Sequence, residues 1–287
     1  MSYRIVADSC CDRTKDTEKI KNLTFVPLTL EIGDNYKIFD DENFNQDDFI
    51  SRAKMANVIA KTACPSPDAW AKAYDCDEDE IFVITITDKL SGTYNSALQG
   101  KMIYDEEHPN HNKKIHIFNS LATSGIESLA VEKMAELKEN GASFEEVVSK
   151  VEYYLKDSST LYFCLESLDT LKKNGRLFAL AAGLLEKLRV KLICQKNGEG
   201  NIKLCCQELA MNRAMVKIAA LVNKDTKNLN VSNNKLIISH VCCYDRAKML
   251  ADKIKSLGKF NDVEIVKCSG LNSTYASNGG IIVSYFK

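Results

Sequence analysis

Residues 81–97 read IFVITITDKLSGTYNSA, and this stretch decides the fold. Val83, Ile84, Thr85 and Ile86 form a consecutive β-branched run, the pattern of a strand covered on both faces in a parallel sheet. The run predicts a central strand. Ser91, Gly92 and Thr93 follow in a short polar loop, after which Tyr94, Ala97, Leu98, Lys101 and Met102 begin a helical pattern. The first N–H groups of a helix lack internal partners and sit at the positive end of its dipole, so they attract phosphate or carboxylate. Hydroxyl residues at such a place also serve as ordinary N-caps, which is the plain structural reading of the same loop.

A chain of 287 residues has room for one large domain or two ordinary ones, and two is the better fit. The 38 basic and 39 acidic residues nearly cancel, so no global charge points to nucleic acid or an anionic membrane surface. The start, MSYRIVADSCCD, offers no long apolar segment and reads as no signal peptide. The longest apolar run, residues 177–185, is nine residues, against about 20 needed to cross a bilayer. Eleven cysteines make an odd count, with three adjacent pairs and no CxxC, which argues against a disulfide framework or a zinc site. Most lie in apolar runs, where a reduced thiol acts as a small hydrophobe, and a reducing cytoplasm fits this usage.

Outward from the central stretch, residues 3–7 read as a first strand ending in the polar turn Asp8-Ser9-Cys10-Cys11-Asp12. Residues 24–32 read as a second strand, with Pro27 marking an edge or bulge, and residues 39–48 as an acidic solvated loop. In KTACPSPDA, residues 61–69, Ser66 and Pro67 are a helix start, whereas Thr62 lies four residues too early to cap and is free to face a cleft. Residues 114–118 form another strand, followed by NSLATSG and a long helix. Three strand-to-helix junctions in one half thus carry Ser, Thr or Gly. Such junctions converge on one crevice at the carboxyl edge of a parallel sheet.

Ser143 with Glu146 forms a capping box, and the polar residues 156–160 read as a connection between domains, placing them at 1–158 and 159–287. Beyond it come a strand, the short helix SLDTLKK stopped at Asn174-Gly175, Arg176, and an apolar helix over 177–188 read as core or tunnel wall. Residues 190–195 and 202–208 form an antiparallel hairpin, and helices and strands then alternate to the end, implying mixed strand directions.

Chemistry is scarce. No GxSxG, Walker A or GxGxxG occurs, and His108 and His111 sit in an acidic loop while His240 reads as a structural histidine at a strand end. No metal or cofactor is implied. Hydroxyls, backbone amides and Arg176 bind an oxyanion but provide no nucleophile with its base, which favours a carrier over an enzyme. The basic residues Lys172, Lys173, Arg176, Lys187, Arg189, Lys191, Arg213 and Lys217 read as solvated surface or as a dock for an acidic partner.

The order of motifs VADSCCD, TACPSP, KLSGTYNSA, NSLATSG, LDTLKKNGR and a terminal glycine-containing loop before a last strand resembles the DegV family over essentially the whole chain. The resemblance implies two α/β domains, a parallel-sheet N-terminal one and a mixed-sheet C-terminal one, holding one long-chain fatty acid in the cleft between them. It implies an acid of roughly C14 to C18, bound for burial of its hydrocarbon, and a separate fatty acid kinase that makes acyl-phosphate for phospholipid synthesis. By the same resemblance Thr62, Ser91 and the amide of Gly92 bind the carboxylate, Arg176 lies near the head group or its phosphorylated form, and Arg213 contacts the kinase.

Three departures stand out. The family's TSQPS is TACPS here, GGR is NGR, and Tyr275 occupies the place of the histidine in the terminal loop. In that place Tyr275 joins Thr62, Ser91 and Gly92 in binding the carboxylate, donating a hydrogen bond but supplying no positive charge. Two other readings therefore stand beside a kinase-coupled carrier: a lipid-sensing regulatory protein without kinase coupling, and a phosphotransferase or esterase using Asp8 or Ser91.

Overall fold

A strand that is apolar on both faces needs a layer against each, and that requirement arranges the chain. The computed structural model describes residues 2–177 and 190–287. In order come β1 (Tyr3–Asp8), β2 (Leu23–Val26), β3 (Thr29–Ile32), β4 (Tyr36–Phe39), α1 (Gln46–Ala56), β5 (Lys61–Ala63) and α2 (Pro67–Tyr74). Next are β6 (Glu80–Thr85), α3 (Thr93–Glu107), β7 (Lys114–Asn119), α4 (Gly125–Glu139) and α5 (Phe144–Tyr153). The remainder comprises β8 (Ser159–Cys164), α6 (Asp169–Lys173), β9 (Lys191–Lys196), β10 (Ile202–Glu208), α7 (Met211–Asp225), β11 (Lys235–His240), α8 (Tyr244–Ser256), β12 (Asp262–Lys267), α9 (Gly270–Ala276) and β13 (Ile281–Phe286).

The first sheet has the order β2-β1-β6-β7, and every pairing is parallel. The β-branched strand β6 is interior and buried along its whole length, as its composition predicts. The second sheet, β10-β9-β8-β13-β11-β12, is mixed, with only β11 and β12 parallel. A small antiparallel sheet, β4-β3-β5, completes the set. This is the expected α/β class with one parallel and one mixed sheet.

Helices α2 and α3 cover the outer face of the parallel sheet with Trp70, Tyr74, Ala97 and Tyr104. Helices α7 and α8 cover the outer face of the mixed sheet with Met215, Ile218, Leu250 and Ile254. Between the sheets runs α4, which has nine buried residues and joins a single core holding Phe82 and Ile84 of the first sheet and Phe163 and Ile282 of the second. Close approach is possible because α4 opens on a glycine: a Cβ on Gly125 would lie 2.9 Å from Ser284 Cβ and 3.0 Å from Ile237 Cγ2.

Several expectations are corrected. Residues 24–32 are two strands in different sheets, broken at Pro27. Proline offers no N–H to a ladder, and Leu28 N–H goes to Ser9 Oγ at 3.0 Å. The acidic stretch after β4 is not all solvated. Asp40 is buried and accepts the N–H groups of Gly270 and Leu271 at 2.7 and 2.8 Å, so it caps α9, a helix lying in what the sequence presents as a loop. Residues 156–160 run through a π-helical turn (Tyr154–Ser158) directly into buried β8. The apolar helix expected over 177–188 lies outside the described residues apart from Leu177, which is buried.

Helix α4 also carries a charge problem into the core. Glu127 is fully buried, neither of its carboxyl oxygens has a hydrogen-bond partner, and its oxygens approach Asp8 and Cys10 to within 4.8 Å. Asp8 is satisfied by the N–H groups of Cys10 and Ile86, both at 2.8 Å. An isolated buried carboxylate is far costlier than a neutral acid, and burial, with Asp8 adding to it, holds the Glu127 carboxyl protonated well above the ordinary carboxylate range.

Two measurements test this layer. Gly125→Ala forces α4 away from β13 and β11 and is expected to cost about 1 to 3 kcal/mol in a denaturant titration, the usual range for overpacking. For Glu127 the folded carboxyl holds a proton that the unfolded chain releases near pH 4, so native stability falls as pH rises above that value. Glu127→Gln removes this titration. Its Tm is expected to match the native chain near about pH 4 and to exceed it by a growing margin toward about pH 8.

Candidate functional site

The carboxyl ends of β6 and β7 open onto the gap between the two sheets, where an open α/β sheet binds ligands. In the β6–α3 loop, Leu90 and Ser91 N–H groups both turn back to Thr87 O, at 3.1 and 3.3 Å. The N-cap of α3 is Gly92 and no side chain caps it, so the capping reading of Ser91 does not hold. Ser91 Oγ instead shares a hydrogen bond with Thr93 Oγ1 at 2.8 Å and accepts Thr93 N–H at 3.3 Å.

The TACPSP segment is fixed beside this loop. Ser66 caps α2 by accepting Ala69 N–H at 3.3 Å, as expected, and Pro65 O accepts the Ser96 hydroxyl at 2.6 Å, which ties the segment to α3. Thr62, paired with Leu30 across β5 and β3, presents its hydroxyl to Tyr275 OH at 3.1 Å. Tyr275 belongs to α9, whose first turn is anchored on Asp40 and whose Asn272 donates to Cys10 O at 2.7 Å and to Asp12 Oδ1 at 2.8 Å. Burial pushes the Asp40 carboxyl up to about 7 and the Asp8 carboxyl up to about 6 against their backbone donors.

Arg176 links these parts. Gly175 takes the left-handed conformation, φ 74°, that stops α6, and Arg176 N–H returns to Leu171 O at 2.8 Å. Its guanidinium then donates from Nε to Leu90 O at 3.1 Å and from Nη1 to Asn174 O at 2.5 Å, and lies 5.7 Å from the centre of the Tyr275 ring. One cation thus touches the backbone next to Ser91 and the ring that holds Thr62.

These side chains lie together in the wall of one cavity. Thr62, Ser91, Arg176 and Tyr275 all face it, and the rest of its wall is mainly apolar, including Ile86, Leu161, Phe163, Leu165, Leu271 and Ile282. Gly92 stands at the N-terminus of α3 directly after Ser91. Arg213 is not part of this group: it is exposed on the first turn of α7. Asp8 is buried with both oxygens engaged and does not face the cavity. His240 is buried, accepts Cys243 N–H on Nδ1 at 3.3 Å, and has its pKa lowered by burial, in keeping with a structural histidine.

Sequence reasoning missed Thr123, Asn272 and Lys196 in the wall. Thr123 sits in the quoted NSLATSG junction and donates to Asn272 Oδ1 at 2.8 Å, so the junction signal was sufficient to find it. Asn272 and Lys196 carry no local signal, because one is placed by a helix that reads as loop and the other by strand register.

A family model described as an uncharacterised protein of the DegV family matches residues 2–287. A DegV domain-containing protein of Streptococcus gordonii is 33% identical over 287 residues, which is 99% of each chain. Among solved structures, a DegV-family protein of Ruminococcus gnavus refined with vaccenic acid is similar at 36% identity and a TM-score of 0.91, with 99% of both chains covered. The fatty acid kinase B3 protein of Streptococcus pneumoniae loaded with linoleic acid is similar at 31% identity and a TM-score of 0.88, over 100% of this chain and 99% of that one. With a family match along its full described length and a relative above 30% identity, the chain belongs to the DegV family.

Proposed function

We propose that this protein binds one long-chain fatty acid in the cavity between its sheets and carries it rather than converting it. The observation that supports this best is the cavity wall, mainly apolar, with Thr62, Ser91, Arg176 and Tyr275 gathered in one part of it. In this reading the carboxylate accepts from Thr62 Oγ1, Ser91 Oγ, Tyr275 OH and the Gly92 amide, and Arg176 lies beside it. The amides at the start of α3 add the positive end of a helix dipole. The acyl chain lies along Leu161 and Phe163, alternate residues of β8 that face the same way, and Leu165 just beyond its end. No metal or cofactor has a part in this binding.

Presentation of the bound acid to a separate fatty acid kinase follows from the same reading, with Arg213 on the surface as a contact. So do a domain boundary at 158/159, where the π-helical turn meets β8, and residence in the cytoplasm, consistent with the absence, among the described residues, of a helix long and apolar enough to cross a membrane. A lipid sensor without kinase coupling is the second reading. It is favoured by Tyr275, whose hydroxyl is already paired with Thr62 and which cannot become a cation.

Mass spectrometry of organic extracts from the purified protein is expected to find fatty acid near one equivalent per chain, and an empty protein that also fails to take up palmitate or oleate overturns the reading. Thr62→Val with Ser91→Ala is expected to weaken fatty-acid binding at least tenfold, since each hydroxyl bond to a carboxylate contributes about 1.5 to 3 kcal/mol. Unchanged affinity in that variant removes the carboxylate assignment. Adding the kinase of the same organism with ATP separates the two readings, because a sensor yields no acyl-phosphate.

A further inference from the structure

We propose that Lys196 ends the acyl-chain cavity and sets the chain length it accepts, an inference that rests on the fatty-acid reading above. Strand register locates it. Tyr162 pairs with Gln195 across β8 and β9, so Leu161 and Lys196 stand opposite each other one step further on, and Lys196 pairs in turn with Ile202 of β10. Residues directly opposite in an antiparallel ladder share a face, and Leu161, Lys196 and Ile202 all line the cavity. Among the described lining residues this row is the one farthest along β8 from Leu165. The chain leaves β8 through Leu165 toward α6 and Arg176, the carboxylate side in this reading, and four residue steps, about 13 Å, run from Leu165 back to Leu161.

In that row Lys196 is the one residue with both a long stem and a charged head. Its Nζ donates to Leu155 O at 2.9 Å, in the π-helical turn that precedes β8. The stem therefore crosses the end of the cavity and its carbons present the final apolar surface, while the head is fixed on the far side. Burial lowers the Lys196 pKa to about 8, which agrees with a head group drawn into the protein. A methyl terminus pushed beyond the stem would strip the ammonium of its carbonyl and meet a desolvated cation.

The wall behind Lys196 cannot easily retreat. Gly200, in the turn between β9 and β10, has φ 84°, and a Cβ there would collide with Thr87 Oγ1 and with Leu121 Cα. Thr87 Oγ1 also donates to Gly200 O at 3.3 Å. The hairpin is thus fastened to the loops after β6 and β7, and the space available to the acyl chain depends on the side chain at position 196 rather than on hairpin movement.

The test is competition among straight-chain saturated acids, from lauric to arachidic, on the native chain and on Lys196→Ala and Lys196→Arg. Each methylene buried or excluded changes affinity about fourfold. Lys196→Ala is expected to move the preferred acid to a longer one by two carbons or more, changing the ratio of adjacent even-chain affinities about fifteenfold. Lys196→Arg, with a longer stem and the same charge, is expected to move it shorter. Identical length profiles in the native chain and a folded alanine variant overturn the proposal, as does an arginine variant whose profile moves longer. If the alanine variant does not fold, the direction of the arginine shift decides alone. Failure of the native chain to bind any of the acids sinks the fatty-acid reading itself, a different result from unchanged selectivity.

Discussion

Everything in this molecule depends on α4 being buried on both sides. Its N-terminal half, Gly125 to Val131, is buried throughout and must satisfy two partners at once, and its exposed charges, Glu136 and Glu139, come only in the last turns. The glycine at its first position lets the mixed sheet approach, and the run of small and apolar residues behind it fits both surfaces. The two sheets thereby share one core instead of meeting across a polar interface. The cavity exists at the edge of that arrangement, where the loops preceding α3 and α4 leave the parallel sheet and the helical layer stops.

The same layering explains the buried polar residues near the site. Asp8, Asp12 and Asp40 hold loop amides in place: Asp8 fixes the end of β6, Asp12 accepts from Ser269 and Asn272, and Asp40 caps α9. Each buried carboxylate is costly, and two or more amide donors offset that cost. Asp12 and Asp40 both act on α9, the element that carries Tyr275. The acids that look like catalytic candidates in the sequence are therefore the framework that positions hydroxyls, and Glu127 is the one member with no donors and so the one kept as a neutral acid.

Much of this was legible in the chain, for identifiable reasons. Residues 81–86 announced a doubly covered strand because β-branched runs have few other uses, and Ser66-Pro67 and Ser143…Glu146 marked helix starts because capping is local chemistry. Thr62, Ser91, Arg176 and Tyr275 were named from motifs, and the structure brings those four to one cavity. What was not legible depends on tertiary partners. Nothing near residues 270–276 signals a helix, since its cap is Asp40 from far along the chain. Nothing near residue 27 shows that the chain changes sheets there, since Leu28 is held by Ser9. Lys196 falls just past the strand read over 190–195, and only the pairing with Ile202 shows that it lines the cavity.

The balance of forces in the cavity follows from its lining. Burying a methylene contributes about 0.8 kcal/mol, so ten methylenes against the cavity wall contribute about 8 kcal/mol, comparable to three or four carboxylate hydrogen bonds at about 1.5 to 3 kcal/mol each. Hydrocarbon burial and the polar groups therefore both supply affinity, and the polar groups also supply orientation. Two backbone carbonyls and the Tyr275 ring already hold Arg176, so its charge is placed before a ligand arrives and little side-chain freedom is lost on binding. A ligand entering the wrong way round would forgo the Ser91 hydroxyl and the Gly92 amide and set its methyl end against a partly desolvated guanidinium, so the placement of Arg176 bears on the direction of the whole chain.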